Sequence, residues 1–225
     1  MKRRAIIWAV IATGLALLTR GAEPTASRRV ALVFDDGPVP ANARPLLEVL
    51  AREGVRVTFS LVGDRVNENP AMAVGIARAG HEIANHSQTH SHPKDLTDAA
   101  LDREITAAQQ AITAAAGVAP KWYWPPFLEV DDRLRAAVTR AGLTVYTPHH
   151  LVVSMDYDTA VPAAEILHRA TTDVRDDTVI LCHEWRTETR EQLPAILAEL
   201  RRQHCVFLTF SELQASLAAS APIKP

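Results

Sequence analysis

At 225 residues, with 48% hydrophobic and 22% charged side chains, the chain carries enough apolar surface for one substantial core and no need of several domains. A formal net charge of -2, with no basic stripe beyond the first few residues, excludes the electrostatic footprint of a nucleic-acid binder. Two cysteines, Cys182 and Cys205, exclude a disulfide framework; one lies near the end of its strand and the other near the start, so no bond is expected.

In chain order, Lys2, Arg3 and Arg4 precede an uncharged, mostly apolar stretch over 5–18. That pattern predicts an export signal over residues 1–27, or an uncleaved N-terminal membrane anchor, because Arg20 spoils the small-x-small cleavage pattern. The expected location is therefore periplasmic or extracellular, with a tether to the inner membrane if the segment is kept. A single catalytic domain is expected over 28–219, followed by a tail over 220–225.

The first predicted strand, 30–34, ends in Asp35 and Asp36 and then in the chain-turning pair Gly37-Pro38. Leu46, Leu47, Val49 and Leu50 predict a helix over 41–52 that stops at Gly54. A strand over 55–62, a helix over 70–79 ended by Gly80, and a short extended piece over 81–84 follow. Thr97 is placed to cap a long amphipathic helix to residue 116, with Leu101, Ile105, Ala108 and Ile112 on one face. The alternation continues with strands at 121–124, 143–146, 151–153, 178–182 and 205–208 and helices at 131–141, 163–172, 189–203 and from 211. Strand and helix alternating over this length imply a parallel sheet, either open or closed into a barrel.

Asp35-Asp36, the run from Asn85 to His92, Pro125-Pro126-Phe127, Asp156 and His183 all follow strands, on the face where barrel enzymes build their sites. His86 and His90 lie four residues apart, and a helical turn would bring both to one side. Two histidines with one carboxylate, from Asp35 or Asp36, make a common ligand set for a catalytic zinc. Asp156 is placed to orient His183 and keep it protonated. Cys182 should alternate away from the face of His183, which argues for a buried thiol.

FDDGP at 34–38, HSQTH at 86–90, PPF at 125–127, Asp156-Tyr157 and Leu181-Cys182-His183 stand in the order and rough spacing of a known motif set. The chain resembles the polysaccharide deacetylases, the NodB-like carbohydrate esterases of family 4, over nearly all of 30–217. The resemblance implies a single-domain α/β fold, a distorted (β/α) barrel with fewer than eight complete units. It implies that Asp35 is the general base and that Asp36, His86 and His90 hold a divalent metal, Zn2+ first, with Co2+ or Ni2+ as substitutes. His183 would be the general acid, steadied by Asp156, and the backbone N–H of Phe127 would help bind the oxyanion.

The implied activity is removal of acetyl groups from N-acetylated amino sugars of a glycan. The alternatives are a glycan-binding homologue without turnover, and a deacylase of another small amide such as a formamido sugar. Substrate contacts are expected from Trp124, Pro126, Phe127, Tyr157 and Trp185, with Trp124 bordering the cleft where its ring can stack on a sugar. Three positions depart from the family pattern. Trp124 stands where an arginine usually pairs with the base, Leu128 replaces a glycine, and Tyr157 replaces a tryptophan.

Overall fold

The computed structural model describes residues 27–220; the predicted export signal lies outside them as far as residue 26, and the predicted tail from residue 221. No helix among the described residues is long and apolar enough to cross a membrane. The fold is an eight-stranded, all-parallel sheet built around its first strand, β1 (Arg28–Gly37), in which residues 30–34 are at most 1% exposed.

The helices and strands alternate in sequence as α1 (Pro40–Glu53), β2 (Thr58–Leu61), α2 (Gly63–Glu68), α3 (Pro70–Arg78) and β3 (Glu82–Asn85). Then come α4 (Asp98–Ala116), β4 (Trp122–Tyr123), α5 (Asp132–Arg140), β5 (Thr144–Val145) and β6 (His150–Val153). The chain closes with α6 (Ala163–Thr171), β7 (Thr178–His183), α7 (Thr187–Arg202), β8 (Cys205–Leu208) and α8 (Phe210–Ser220). Along the sheet the order is β5-β4-β3-β2-β1-β7-β6. On one flank of β1, β8 pairs with the first half and β2 with the second. The edge strands β5 and β6 do not pair with each other, and the connection between them carries no helix. That missing helix is where the barrel stays open, so it has fewer than eight complete units.

Local signals set most boundaries. Gly54 ends α1 in the left-handed region (φ 64°), and the Thr97 hydroxyl accepts the Ala100 N–H at 3.3 Å to cap α4. The 55–62 strand is shorter than expected, and α2 was not anticipated: the six residues of Gly63–Glu68 are too few to show a helical repeat.

Period-2 alternation divides the core. Val30, Leu32 and Phe34 pack against the helices, whereas Ala31 and Val33 face the barrel interior with Ala84, Trp122, Trp124, Tyr146 and Phe210. Asp35 has the interior parity. Asp36 has the opposite one, but the β1–β2 register shifts between Phe34 and Gly37, and Asp36 adopts φ 67°. This bulge turns both neighbouring carboxylates toward one cleft.

Candidate active site

A cleft of about 520 Å³ opens at the C-terminal ends of the strands, with Asp35, Asp36, His86, His90 and His183 on its floor. Phe127, Leu128, Met155 and Tyr157 form its upper walls. Two of these, Phe127 and Tyr157, are each 49% exposed, so the rim offers aromatic surface to a ligand.

His86 and His90 reach the floor by a route the sequence did not suggest. Residues 86–90 form no helical turn; Ser87 and His90 both take positive φ (64° and 61°), and the irregular loop brings the two rings to a centroid separation of 4.9 Å. A loop wins here because its backbone donors have acceptors elsewhere: the Gln88 and Thr89 N–H groups donate to Glu104, and the His90 N–H donates to the Ser87 hydroxyl.

His86 Nδ1 lies 2.6 Å from the Trp124 carbonyl oxygen, which can only accept. The proton therefore sits on Nδ1, and in the neutral ring Nε2 offers a lone pair. That Nε2 lies 3.5 Å from Asp36 Oδ1, and His90 Nε2 lies 3.1 Å from the same oxygen. Asp36 Oδ1 is buried without a hydrogen-bond partner among the described residues, and the three ligand atoms lie within 4.8 Å of one another. Two ring nitrogens facing one orphaned carboxylate oxygen fit a divalent cation. Burial resists ionising Asp36, but its contacts with His86 and His90 outweigh that and hold its pKa well below the carboxylate range. Burial likewise resists protonating His86, and the charges of Asp35 and Asp36 overcome it, so its pKa is raised.

Asp35 is 4% exposed. One oxygen, Oδ2, accepts the Trp124 indole N–H at 2.8 Å; the other, Oδ1, is buried without a partner among the described residues. Burial raises the pKa of Asp35, against the pull of His86 and His183. Across the cleft, Asp156 is fully buried and accepts three hydrogen bonds: from the His183 backbone N–H at 2.7 Å, His183 Nδ1 at 2.7 Å and the Thr189 hydroxyl at 2.6 Å. Burial works against charge on both partners, yet their contact lowers the pKa of Asp156 and raises that of His183. His183 thus presents Nε2 as a proton donor with its other nitrogen committed.

The sequence profile of polysaccharide deacetylases matches residues 22–146. The chain belongs to that family. A peptidoglycan-N-acetylglucosamine deacetylase of Bacillus cereus is 29% identical to this chain over 195 residues, covering 84% of this chain and 90% of that protein. A bifunctional xylanase/deacetylase of Pseudobutyrivibrio xylanivorans is 29% identical over 82% of this chain, which spans 30% of that longer protein. Among solved structures, a family 4 carbohydrate esterase from Streptomyces lividans in complex with acetate superposes with a TM-score of 0.75 at 33% identity, covering 81% of this chain and 93% of that one. A family 4 acetyl xylan esterase from Clostridium thermocellum in complex with a cobalt ion gives 0.78 at 30% identity, covering 85% and 92%.

Of the residues singled out in the sequence of this deacetylase-family chain, Asp35, Asp36, His86, His90, His183, Phe127 and Tyr157 line one cleft. Asp156 stands directly behind His183. Trp124 does not border the cleft. Its ring is fully buried among Phe210 and Tyr146, where it cannot stack on a sugar, and its N–H is spent on Asp35. Pro126 is also buried and is not a cleft wall, because its short helical turn points it inward. The half-buried Trp185 donates its indole N–H to Asp36 Oδ2 at 3.0 Å.

Several participants were not foreseen. Thr189 binds Asp156 from the first turn of α7, and Arg65 donates to the Asp36 backbone carbonyl. Leu128, marked only as a replaced glycine, holds φ 58° and turns its side chain into the cleft. Cys182 is a buried free thiol whose pKa burial pushes up, which removes it as a nucleophile.

Proposed function

We propose that the chain is a metal-dependent hydrolase that removes acetyl groups from N-acetylated amino sugars in a glycan. The observation that carries this reading is the convergence of Asp35, the Asp36/His86/His90 trio and the His183–Asp156 pair on one cleft. Asp36, His86 and His90 would hold the cation, zinc first, with cobalt or nickel as substitutes. A divalent cation bound there polarises the amide carbonyl and acidifies water.

The protein's own groups do the rest. Asp35, with Oδ1 free and a raised pKa, takes the proton from the attacking water. The backbone N–H of Phe127 would donate to the developing oxyanion, a contact whose loss typically costs about 100-fold or more. His183 Nε2 gives its proton to the departing amine, and Asp156 holds the ring for that transfer. The exposed rings of Phe127 and Tyr157 supply faces for a sugar.

An exported protein acting on glycan outside the cytoplasm suits both the basic and apolar N-terminal pattern and the substrates of the relatives. A binding protein without turnover would follow if Asp35 lacked a partner in place of the family's arginine; the Trp124 N–H bond to Asp35 keeps the base tethered and favours turnover.

The test is acetate release from chito-oligosaccharides, peptidoglycan and acetylated xylan by zinc-loaded protein, beside Asp35→Asn. The variant is expected to retain one metal per chain and lose at least about 100-fold in kcat. Undiminished release by Asp35→Asn would remove the assigned base; no release from any of the three glycans by wild-type protein would remove the reading itself.

A further inference from the structure

Asp35 and Asp36 are neighbours in sequence, yet each is held by a different indole. Trp124, immediately after β4, donates Nε1–H to Asp35 Oδ2 at 2.8 Å. Trp185, two residues after β7 ends, donates Nε1–H to Asp36 Oδ2 at 3.0 Å. The pairing is parallel in detail: in both carboxylates Oδ2 is tied and Oδ1 is left buried without a hydrogen-bond partner among the described residues. The free Oδ1 of Asp36 is the atom that faces His86 and His90.

Both indoles are themselves fixed. Trp124 packs against Phe210 at a centroid distance of 5.3 Å and Tyr146 at 6.2 Å, and its own carbonyl fixes His86 Nδ1 at 2.6 Å. Trp185 accepts the Asn42 side-chain N–H on its carbonyl at 2.6 Å, and its ring sits 5.8 Å from that of His183. An indole N–H orients a carboxylate oxygen without cancelling its charge, as a guanidinium would. Among the described residues no lysine or arginine side chain bonds to either carboxylate; Arg65 reaches only the backbone carbonyl of Asp36.

We propose that Trp185 and Trp124 are positioning residues with separate duties, Trp185 aiming Asp36 Oδ1 at the metal and Trp124 aiming Asp35 Oδ1 at the water it deprotonates. The second duty rests on the deacetylase reading above; the first requires only the metal.

Two measurements on the full chain separate the duties: calorimetric titration of Zn2+ and Co2+ into metal-free protein, and steady-state acetate release at saturating metal. Trp185→Phe is expected to weaken metal binding about 10- to 100-fold. Trp124→Phe is expected to leave metal affinity and KM unchanged and to lower kcat about 10- to 100-fold. Because phenylalanine also empties space in the core, benzothienylalanine at position 124 serves as the second variant. It keeps the ring shape, replaces N–H by sulfur, and should show the same fall in kcat without emptying space in the core.

Unchanged metal affinity in Trp185→Phe overturns the first duty. Full kcat with benzothienylalanine overturns the second and leaves Trp124 a packing residue. Failure of the deacetylase reading looks different: wild-type protein that binds metal and turns nothing over, with the Trp185 titration still deciding its own question.

Discussion

Glu184→Gln should abolish a pH-dependent loss of stability in the metal-free protein. Glu184 is 1% exposed, directly behind the active-site floor. Its Oε1 accepts the Val39 N–H at 2.5 Å, while Oε2 is buried with no hydrogen-bond partner among the described residues. A Cβ on Gly37 would overlap Oε2, so a side chain at that position would have to displace the Glu184 carboxyl. Burial raises the carboxyl pKa from 4.5 to about 7, against the opposing pull of the Val39 N–H and the charge of Arg65.

Between those two values the folded protein keeps a proton that the unfolded chain has released, so stability falls as pH rises through that window. The full loss above it is about 3 kcal/mol. Glutamine keeps an oxygen for the Val39 N–H and cannot ionise. Urea unfolding of both proteins across the window provides the assay, and the other titrating groups cancel in the wild-type-minus-variant difference. That difference should be flat below pH 4.5, the unperturbed value, and move against the wild type by about 3 kcal/mol by pH 8. A difference that stays constant with pH to within about 1 kcal/mol would refute a buried, proton-holding Glu184.

Zinc or cobalt at about 100 times its dissociation constant should stabilise the protein by about 3 kcal/mol, reversibly with chelator, because the Asp36/His86/His90 trio exists only in the folded chain. His90→Ala should erase that shift in the melting temperature, and a persistent shift would move the metal elsewhere. Thr97→Ala removes the hydroxyl that caps α4 and should cost about 1 kcal/mol, lowering the melting temperature by about 2–4 °C without changing turnover. A fall in kcat in that variant would show that the cap also holds Glu104 against the loop of His86 and His90.

Most of the fold was legible because its signals are local. The apolar run of β1, the Gly54 stop and the Thr97 cap are each decided by a few neighbouring residues, and each appears in the structure near its expected place. The short α2 was not, since six residues are under two turns and leave no periodic trace. In the site, the histidine pair, the adjacent aspartates and the His183–Asp156 pair were visible as residue types at strand ends. Their geometry was not: spacing suggested a helical turn for His86 and His90, where hydrogen bonds to Glu104 and Ser87 impose a loop.

Trp124 and Asp36 mark the division most sharply. The sequence by itself determined that a tryptophan occupies the position of the expected arginine and that two carboxylates end the first strand. Only the tertiary structure decided that the indole turns inward to bind Asp35, and that a bulge with positive φ brings Asp36 to the same cleft. The physical reason is range. Periodicity and capping act over a few bonds along the chain, whereas the Trp124–Asp35 contact joins residues 89 positions apart, and its direction is set by packing against Phe210 and Tyr146.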